Sequence, residues 1–173
     1  MPDLRLWPAP PTLTRIIQLS LLATFVFFLV FQVHDRRLDV NNIVSLELAW
    51  TPARAKDILT AWGAGGQQVA RESLFIDFAY MPAYAFLFAG LVLATARGVR
   101  GRLQTLGFWL SAAPFAAWVC DLTENFALLR VLTIPSDPSP AAVRLASLCA
   151  SLKFELLLVC LTYILVAWIL RRR

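Results

Sequence analysis

Hydrophobic residues are gathered into four long runs, and each run separates a basic residue from ionisable residues at its other end. The separations are 16 to 20 residues, which at about 1.5 Å per helical residue is close to the thickness of a bilayer hydrocarbon core. The four pairs are Arg15 with His34, Arg97 with Asp77, Arg102 with Asp121, and Arg171 with Glu155. This pattern predicts four transmembrane helices that bring a belt of polar residues to one level.

The composition agrees with a membrane protein. Hydrophobic residues make up 59% of the 173 residues, the mean hydropathy is +0.66, and only 16% of residues are charged, against about 25% in ordinary soluble domains. We therefore predict an all-α, polytopic membrane protein, a single domain with four transmembrane helices and a small, partly helical extracytoplasmic cap. The predicted spans are about 15–34, 73–97, 102–134 and 141–171.

The distribution of charge predicts the topology. The arginines before the first run, between the second and third, and after the fourth carry a balance of +7 with Asp3, whereas all other charges sum to −2. This positive-inside pattern favours cytoplasmic N- and C-termini in a bacterial inner (plasma) membrane. The expected partners are membrane lipids, and a partner subunit or a homo-oligomer remains open. Nucleic acid is not expected, because no basic stripe is interleaved with aromatic residues.

The long connection at residues 35–70 is expected to form an extracytoplasmic loop. Thr51 and Pro52, a hydrophobic stripe and Gly63 predict a short amphipathic helix at about 52–62. Residues 43–50 alternate hydrophobic and polar residues, which fits an extended segment, but a further helix remains open. Residues 63–66 predict a flexible break.

The helical pattern of the third helix runs from about Leu103 to Ile134, although its uninterrupted apolar part ends at Cys120. A helix of that length is too long for the membrane core alone. Its outer end should therefore project beyond the membrane. We expect the first loop to cover the hydrophobic residues of that end, which are Phe126, Leu128, Leu129, Val131 and Leu132.

Polar residues on three helices form the candidate ligand-binding site. The candidates are Asp77, Tyr80 and Tyr84 on the second helix, Trp118, Asp121, Glu124 and Asn125 on the third, and Lys153 and Glu155 on the fourth. Asp121 and Glu124 lie about one turn apart and repel when both are ionised, so one should carry a proton or both should meet a cation. Lys153 is the candidate cation, whereas Glu155 points about 200° away and is expected to meet a different neighbour, such as a second subunit.

A structural role competes with ligand binding for all of these residues. Charges at a membrane boundary often only tie helices together, and Tyr80 and Tyr84 also suit an aromatic belt. His34 with Asp35 and the other acids supplies a meagre ligand set for a metal, and no hydrolase motif is present. We predict no metal and no cofactor, and no residue is assigned a catalytic role.

The segments Leu46–Trp50, Ala55–Leu59 and Asp121–Asn125, together with Asp77-Phe78, resemble those of small uncharacterised four-span bacterial membrane proteins. The chain is also similar in architecture to the emopamil-binding and sigma-receptor-like four-helix fold, with Asp77 before Pro82 in the second helix. In the sterol isomerases of that group, buried carboxylates beside aromatic rings stabilise a carbocation. The spacing of histidine and tryptophan differs here, so the similarity implies an architecture only.

Three functions are compatible with the sequence. The first is a non-enzymatic membrane protein that binds a lipid-like ligand or a partner subunit through a polar site at the level of the outer leaflet. The second is an intramembrane, isomerase-like enzyme acting on a lipid, isoprenoid or sterol-like substrate. The third is a small ion- or proton-coupled transporter, which the absence of an internal repeat disfavours.

Overall fold

The computed structural model describes residues 8–38 and 41–171, and these residues form helices without a β-strand. The helices are α1 (Pro10–His34), a short 3-10 helix (Asp35–Arg37), α2 (Ile43–Glu47), α3 (Pro52–Arg97), α4 (Gly101–Leu110), α5 (Ala113–Val131) and α6 (Pro140–Arg171).

Four helical segments are long and hydrophobic enough to cross a membrane: Pro10–Arg37, Pro52–Arg97, Gly101–Val131 and Pro140–Arg171. The prediction of an all-α fold with four such segments is therefore confirmed. Helix α3 lies centrally, since α1, α5 and α6 all pack against it, and α5 also packs along α6. This arrangement places the polar faces of α3, α5 and α6 towards one another.

Helix α3 contains both the predicted amphipathic helix and the second predicted span. Thr51 caps it by accepting a hydrogen bond from the backbone N–H of Arg54, and Pro52 occupies the first turn. Gly63 leaves helical geometry at φ 60° and ψ −171°, a conformation that is essentially restricted to glycine. The flexible break predicted at 63–66 is thus confined to Gly63, because residues 64–66 are already helical again.

The third predicted span, about 102–134, consists of two helices, α4 and α5. A turn at residues 111–112 joins them, with both residues still at right-handed helical dihedral angles, and α5 ends at Val131. Pro114 stands in the first turn of α5, where its missing N–H is tolerated, whereas inside a continuous helix it would remove a hydrogen bond and clash with the preceding turn.

The C-terminal end of α5 is buried under residues of the predicted first loop, as expected, except at one position. Leu128, Val131 and Leu132 belong to one hydrophobic cluster with Ile58 and Leu59 of the amphipathic helix. Leu129 is partly buried against that cluster. Phe126 is instead 60% exposed, because it lies on the other side of α5, where its ring packs against that of Phe78.

Residues 43–50 contain a short helix and not a strand. The side chain of Asn42 caps α2 by accepting a hydrogen bond from the backbone N–H of Ser45. After α2, the backbone N–H of Trp50 donates to Ser147 Oγ at 2.9 Å. These contacts seat α2 against α6, close to Lys153.

Candidate functional site

Lys153 on α6 is the centre of a buried ion cluster. Its Nζ lies 2.7 Å from Asp121 Oδ1 and 2.9 Å from Glu124 Oε2, both on α5. Glu47 Oε2, on α2, lies 3.7 Å from the same nitrogen. All four side chains are buried. The structure thus brings Lys153 together with both acids that the sequence offered as its partners, and adds a third.

The second oxygen of Asp121 is also bound. Tyr84 on α3 donates its hydroxyl hydrogen to Asp121 Oδ2 at 2.7 Å, and both residues are buried. Asp121 therefore accepts one hydrogen bond from an ammonium on α6 and one from a phenol on α3. This carboxylate joins three helices, because it belongs to α5 itself.

Asp77 and Asn125 form a second link between α3 and α5. Asn125 Nδ2 donates to Asp77 Oδ2 at 2.9 Å and to the backbone carbonyl of Leu74 at 3.3 Å. Asn125 is buried, whereas Asp77 is only partly buried. Asp77 therefore keeps one carboxyl oxygen, Oδ1, available to a cavity that it lines.

The aromatic candidates differ in their roles. Tyr80 packs with its ring 5.4 Å from that of Tyr84 and 5.5 Å from that of Phe31 on α1, measured between ring centroids. Tyr80 and Tyr84 both line the cavity. Trp118 packs against the cluster of Met81, Tyr84 and Ala85 but does not line the cavity.

Glu155 is not part of the site. It is exposed on the outer surface of α6, as expected from its position about 200° around the helix from Lys153. It stands beside hydrophobic residues such as Leu158, which is 60% exposed.

Two acidic residues of the site were missed as candidates in the sequence. Asp35 lines the cavity and accepts a long hydrogen bond of 3.5 Å from Ser73 Oγ. Glu47 also lines it and is only 8% exposed. Burial raises the pKa of Glu47 above its usual value, partly offset by the nearby ammonium of Lys153. The signal in the sequence for Glu47 is a charged residue between Leu46 and Leu48. The two-residue alternation, however, places it on the polar face of an extended segment.

His34 lies apart from the ion cluster. Its Nε2 lies 3.1 Å from the backbone carbonyl oxygen of Val69 and 3.7 Å from Glu72 Oε2. Within residues 8–38 and 41–171, no three histidine, cysteine, aspartate or glutamate side chains are arranged to hold a metal ion. The contacts of His34 with Val69 and Glu72 link the end of α1 to α3.

A partly enclosed cavity of about 260 Å³ lies beside the ion cluster. Its polar wall contains Asp35, Glu47, Asp77 and Lys153. Its hydrophobic wall contains rings and side chains from α1, α3 and α6, namely Phe31, Phe88, Phe154 and Leu157. The site combines a charged wall with a hydrophobic one, which is typical of sites for small organic ligands.

Comparisons of the chain with protein-family models, with curated proteins and with solved structures find no match.

Proposed function

We propose that this protein is inserted in a bacterial inner membrane through its four hydrophobic helical segments, with both termini in the cytoplasm. The support is the excess of arginine in the loop at residues 98–102 and near both ends of the chain, which follows the positive-inside rule. In that orientation the cavity and Lys153 lie in the outer half of the membrane, and α2 lies on the extracytoplasmic side.

The proposed function is the binding of an amphiphilic, lipid-like ligand in this cavity, without chemical change. The observation that carries this proposal is that the lining of the cavity changes from polar to hydrophobic along the helix axis. Asp77 and Phe88 both line the cavity from α3, and 11 residues of helix separate them by roughly 16 Å. Lys153 and Leu157 repeat the change from polar to hydrophobic over one turn of α6. A molecule with a polar end and a hydrophobic end matches both walls.

The size of the cavity limits how the ligand is held. A volume of about 260 Å³ is slightly below the range of about 300–1,000 Å³ that is common for small-molecule sites. The cavity accommodates a head group and the first part of a chain. The rest of a long hydrocarbon chain would lie against the exposed hydrophobic surface of the helices, where membrane lipids already pack.

Binding of a partner subunit has less support, because the charged groups face inward. Lys153 is 7% exposed and Glu124 is fully buried, so neither is available to another protein surface. A small molecule is able to enter the cavity, whereas the surface of a partner protein is not.

An isomerase-like enzyme is the second candidate, and one observation favours it. Glu124 is fully buried, and no hydrogen-bond donor reaches its Oε1 among the described residues. Such a carboxyl group is suited to proton transfer if a substrate reaches it. Against this role, Glu124 does not line the cavity and its other oxygen is paired with Lys153. Conversion of a bound lipid by the purified protein, abolished by Glu124→Gln, would favour the enzyme.

Native mass spectrometry of the gently extracted protein tests ligand binding. We expect a retained lipid-like molecule in the wild type. Leu157→Trp fills the hydrophobic end of the cavity and should abolish its retention. Leu158→Trp is the matched control, because Leu158 is exposed and lies outside the cavity. Equal retention by the wild type and both variants, or no retained molecule in the wild type, would refute the proposal.

A further inference from the structure

Negative groups outnumber positive groups in the site. The carboxyl groups of Glu47, Asp77, Asp121 and Glu124 all influence, or pair with, the single ammonium of Lys153. If all four were ionised, three negative charges would remain uncompensated away from water. Burying unpaired charge is very costly. The site must therefore hold protons or receive a further cation.

Glu47 shows where compensation is missing. Its Oε2 is buried and has no hydrogen bond of ordinary geometry with a described residue, although Lys153 and Glu124 lie close enough to favour its ionised form. The nearest cation, Lys153 Nζ, lies 3.7 Å away and is more closely engaged by Asp121 and Glu124. A buried acceptor without a donor is destabilising. Because Glu47 also lines the cavity, a ligand in the cavity is able to bring a positive charge beside its carboxyl group.

The cavity offers little to an anionic head group. Lys153 is the only basic residue that lines it within the described part of the chain, and that ammonium already contacts three carboxyl groups. The cavity is also lined by the aromatic residues Phe31, Tyr80 and Phe154, and the ring of Phe154 already lies 4.9 Å from Lys153 Nζ. Aromatic faces attract cations and not anions.

On the basis of the proposed function, we propose that the polar end of the ligand is a positively charged amine, and that Glu47 releases a proton to the outer aqueous phase when the amine binds. The proton leaves the carboxylic acid of Glu47 and passes to water, while the amine keeps its charge. The incoming positive charge replaces the proton, so the net charge of the site is unchanged.

Glu47 is the acid best placed to exchange its proton with water. It belongs to α2, outside the four segments that are able to cross a membrane, whereas Asp77, Asp121 and Glu124 lie within them. Three helices pack around α2. The groups that face Glu47 are Lys153 from α6, Asp121 and Glu124 from α5, and Asp77 from α3.

The direction of the pH dependence follows from these neighbours. Burial raises the pKa of Glu47, which favours the protonated form in the empty cavity. A cation beside the carboxyl group favours the ionised form. Binding of a cation should therefore weaken as the pH falls, by up to about tenfold per pH unit while one proton is released.

The experiment compares three probes with the same hydrocarbon chain, using the full-length protein in a neutral detergent. The probes are octyltrimethylammonium, whose positive charge is independent of pH, octyl sulfate and 1-octanol. Isothermal titration calorimetry in buffers of different ionisation enthalpy measures the protons released on binding. We expect octyltrimethylammonium to bind at least about tenfold more tightly than the other two probes and to release close to one proton.

Two substitutions test whether the released proton comes from Glu47. Glu47→Gln should bind octyltrimethylammonium at least about tenfold more weakly and without proton release. Glu155→Gln is the control, because Glu155 is exposed and lies outside the cavity, and it should bind as the wild type does. The wild-type measurement needs no variant, so it decides the charge preference even if Glu47→Gln fails to fold.

The outcomes separate this inference from the proposed function. Equal binding of the three probes, or preference for octyl sulfate, with loss in Leu157→Trp, would overturn the amine and leave amphiphile binding intact. Proton release that persists in Glu47→Gln would overturn the role of Glu47. If no probe binds and native mass spectrometry finds no retained molecule, the proposed function itself is refuted.

Discussion

Lys153 Nζ lies 2.7 Å from Asp121 Oδ1, although the two residues belong to different helices and both are buried. A contact of this length between an ammonium and a carboxylate is a charge-assisted hydrogen bond. Removing one partner leaves the other charge buried without compensation. The pair therefore fixes how α5 packs against α6 at the level of the cavity.

The first prediction is that this pair shows strong energetic coupling. Lys153→Met and Asp121→Asn should each lower the free energy of unfolding by about 3–5 kcal/mol where water is excluded. The double variant should be more stable than the sum of the single effects implies, by at least about 1 kcal/mol. Unfolding of the four proteins in detergent measures the coupling.

The control for that cycle combines Lys153→Met with Glu155→Gln. Glu155 is exposed on the same helix and points about 200° around it from Lys153, so its effect should add to that of Lys153→Met within about 0.5 kcal/mol. Additive effects for Lys153 and Asp121 as well would mean that the contact between them does not stabilise the bundle.

The second prediction concerns the hydroxyl group of Tyr84. It donates to the buried carboxylate of Asp121 at 2.7 Å, and a hydrogen bond to a charged group contributes about 1.5–3 kcal/mol. Tyr84→Phe should therefore destabilise the protein by about that amount. Tyr80→Phe is the matched control, since the Tyr80 hydroxyl forms no hydrogen bond with a described residue. Similar losses of thermal stability in both variants would contradict the prediction.

The distance of each residue from the basic ends of the hydrophobic runs was enough to predict which polar side chains lie at the same depth. Lys153, Asp121 and Asp77 were placed at one level because helices of equal rise bring residues at equal distances to equal depth. Their faces followed from the spacing of three and four residues along each helix. The cluster around Lys153 confirms that inference for Asp121 and Glu124.

The contribution of Glu47 could not be found in the same way. Residues 43–50 fit a strand pattern over so short a stretch that periodicity does not distinguish it from a single helical turn. The position of α2 depends on tertiary contacts, such as the hydrogen bond from the Trp50 backbone N–H to Ser147 Oγ. The break at residues 111–112 was missed for a different reason, because Pro114 was not treated as a helix start.

The third prediction uses the conformation of Gly63. A residue with a β-carbon at φ 60° and ψ −171° is strained by about 1–3 kcal/mol, so Gly63→Ala should lower thermal stability. Gly65→Ala is the matched control: Gly65 is helical and has open space where a β-carbon would lie. Alanine at that position should be neutral or stabilising by up to about 1 kcal/mol. Equal effects at the two positions would show that the kink is not retained in the folded protein.

The fourth prediction tests the proposed topology in intact cells. Gly65, Arg100 and Asp137 are exposed. They lie in the segment predicted as the first loop, in the loop at residues 98–102 and between α5 and α6, respectively. In a background with Cys120, Cys149 and Cys160 replaced by alanine, a membrane-impermeant thiol reagent should label Gly65→Cys and Asp137→Cys. It should label Arg100→Cys only after the cells are opened, because the arginine-rich loop around it is expected in the cytoplasm. Labelling of Arg100→Cys alone in intact cells would show that the protein has the opposite orientation in the membrane. Glu47 would then face the cytoplasm, and the proton released on binding would leave on that side.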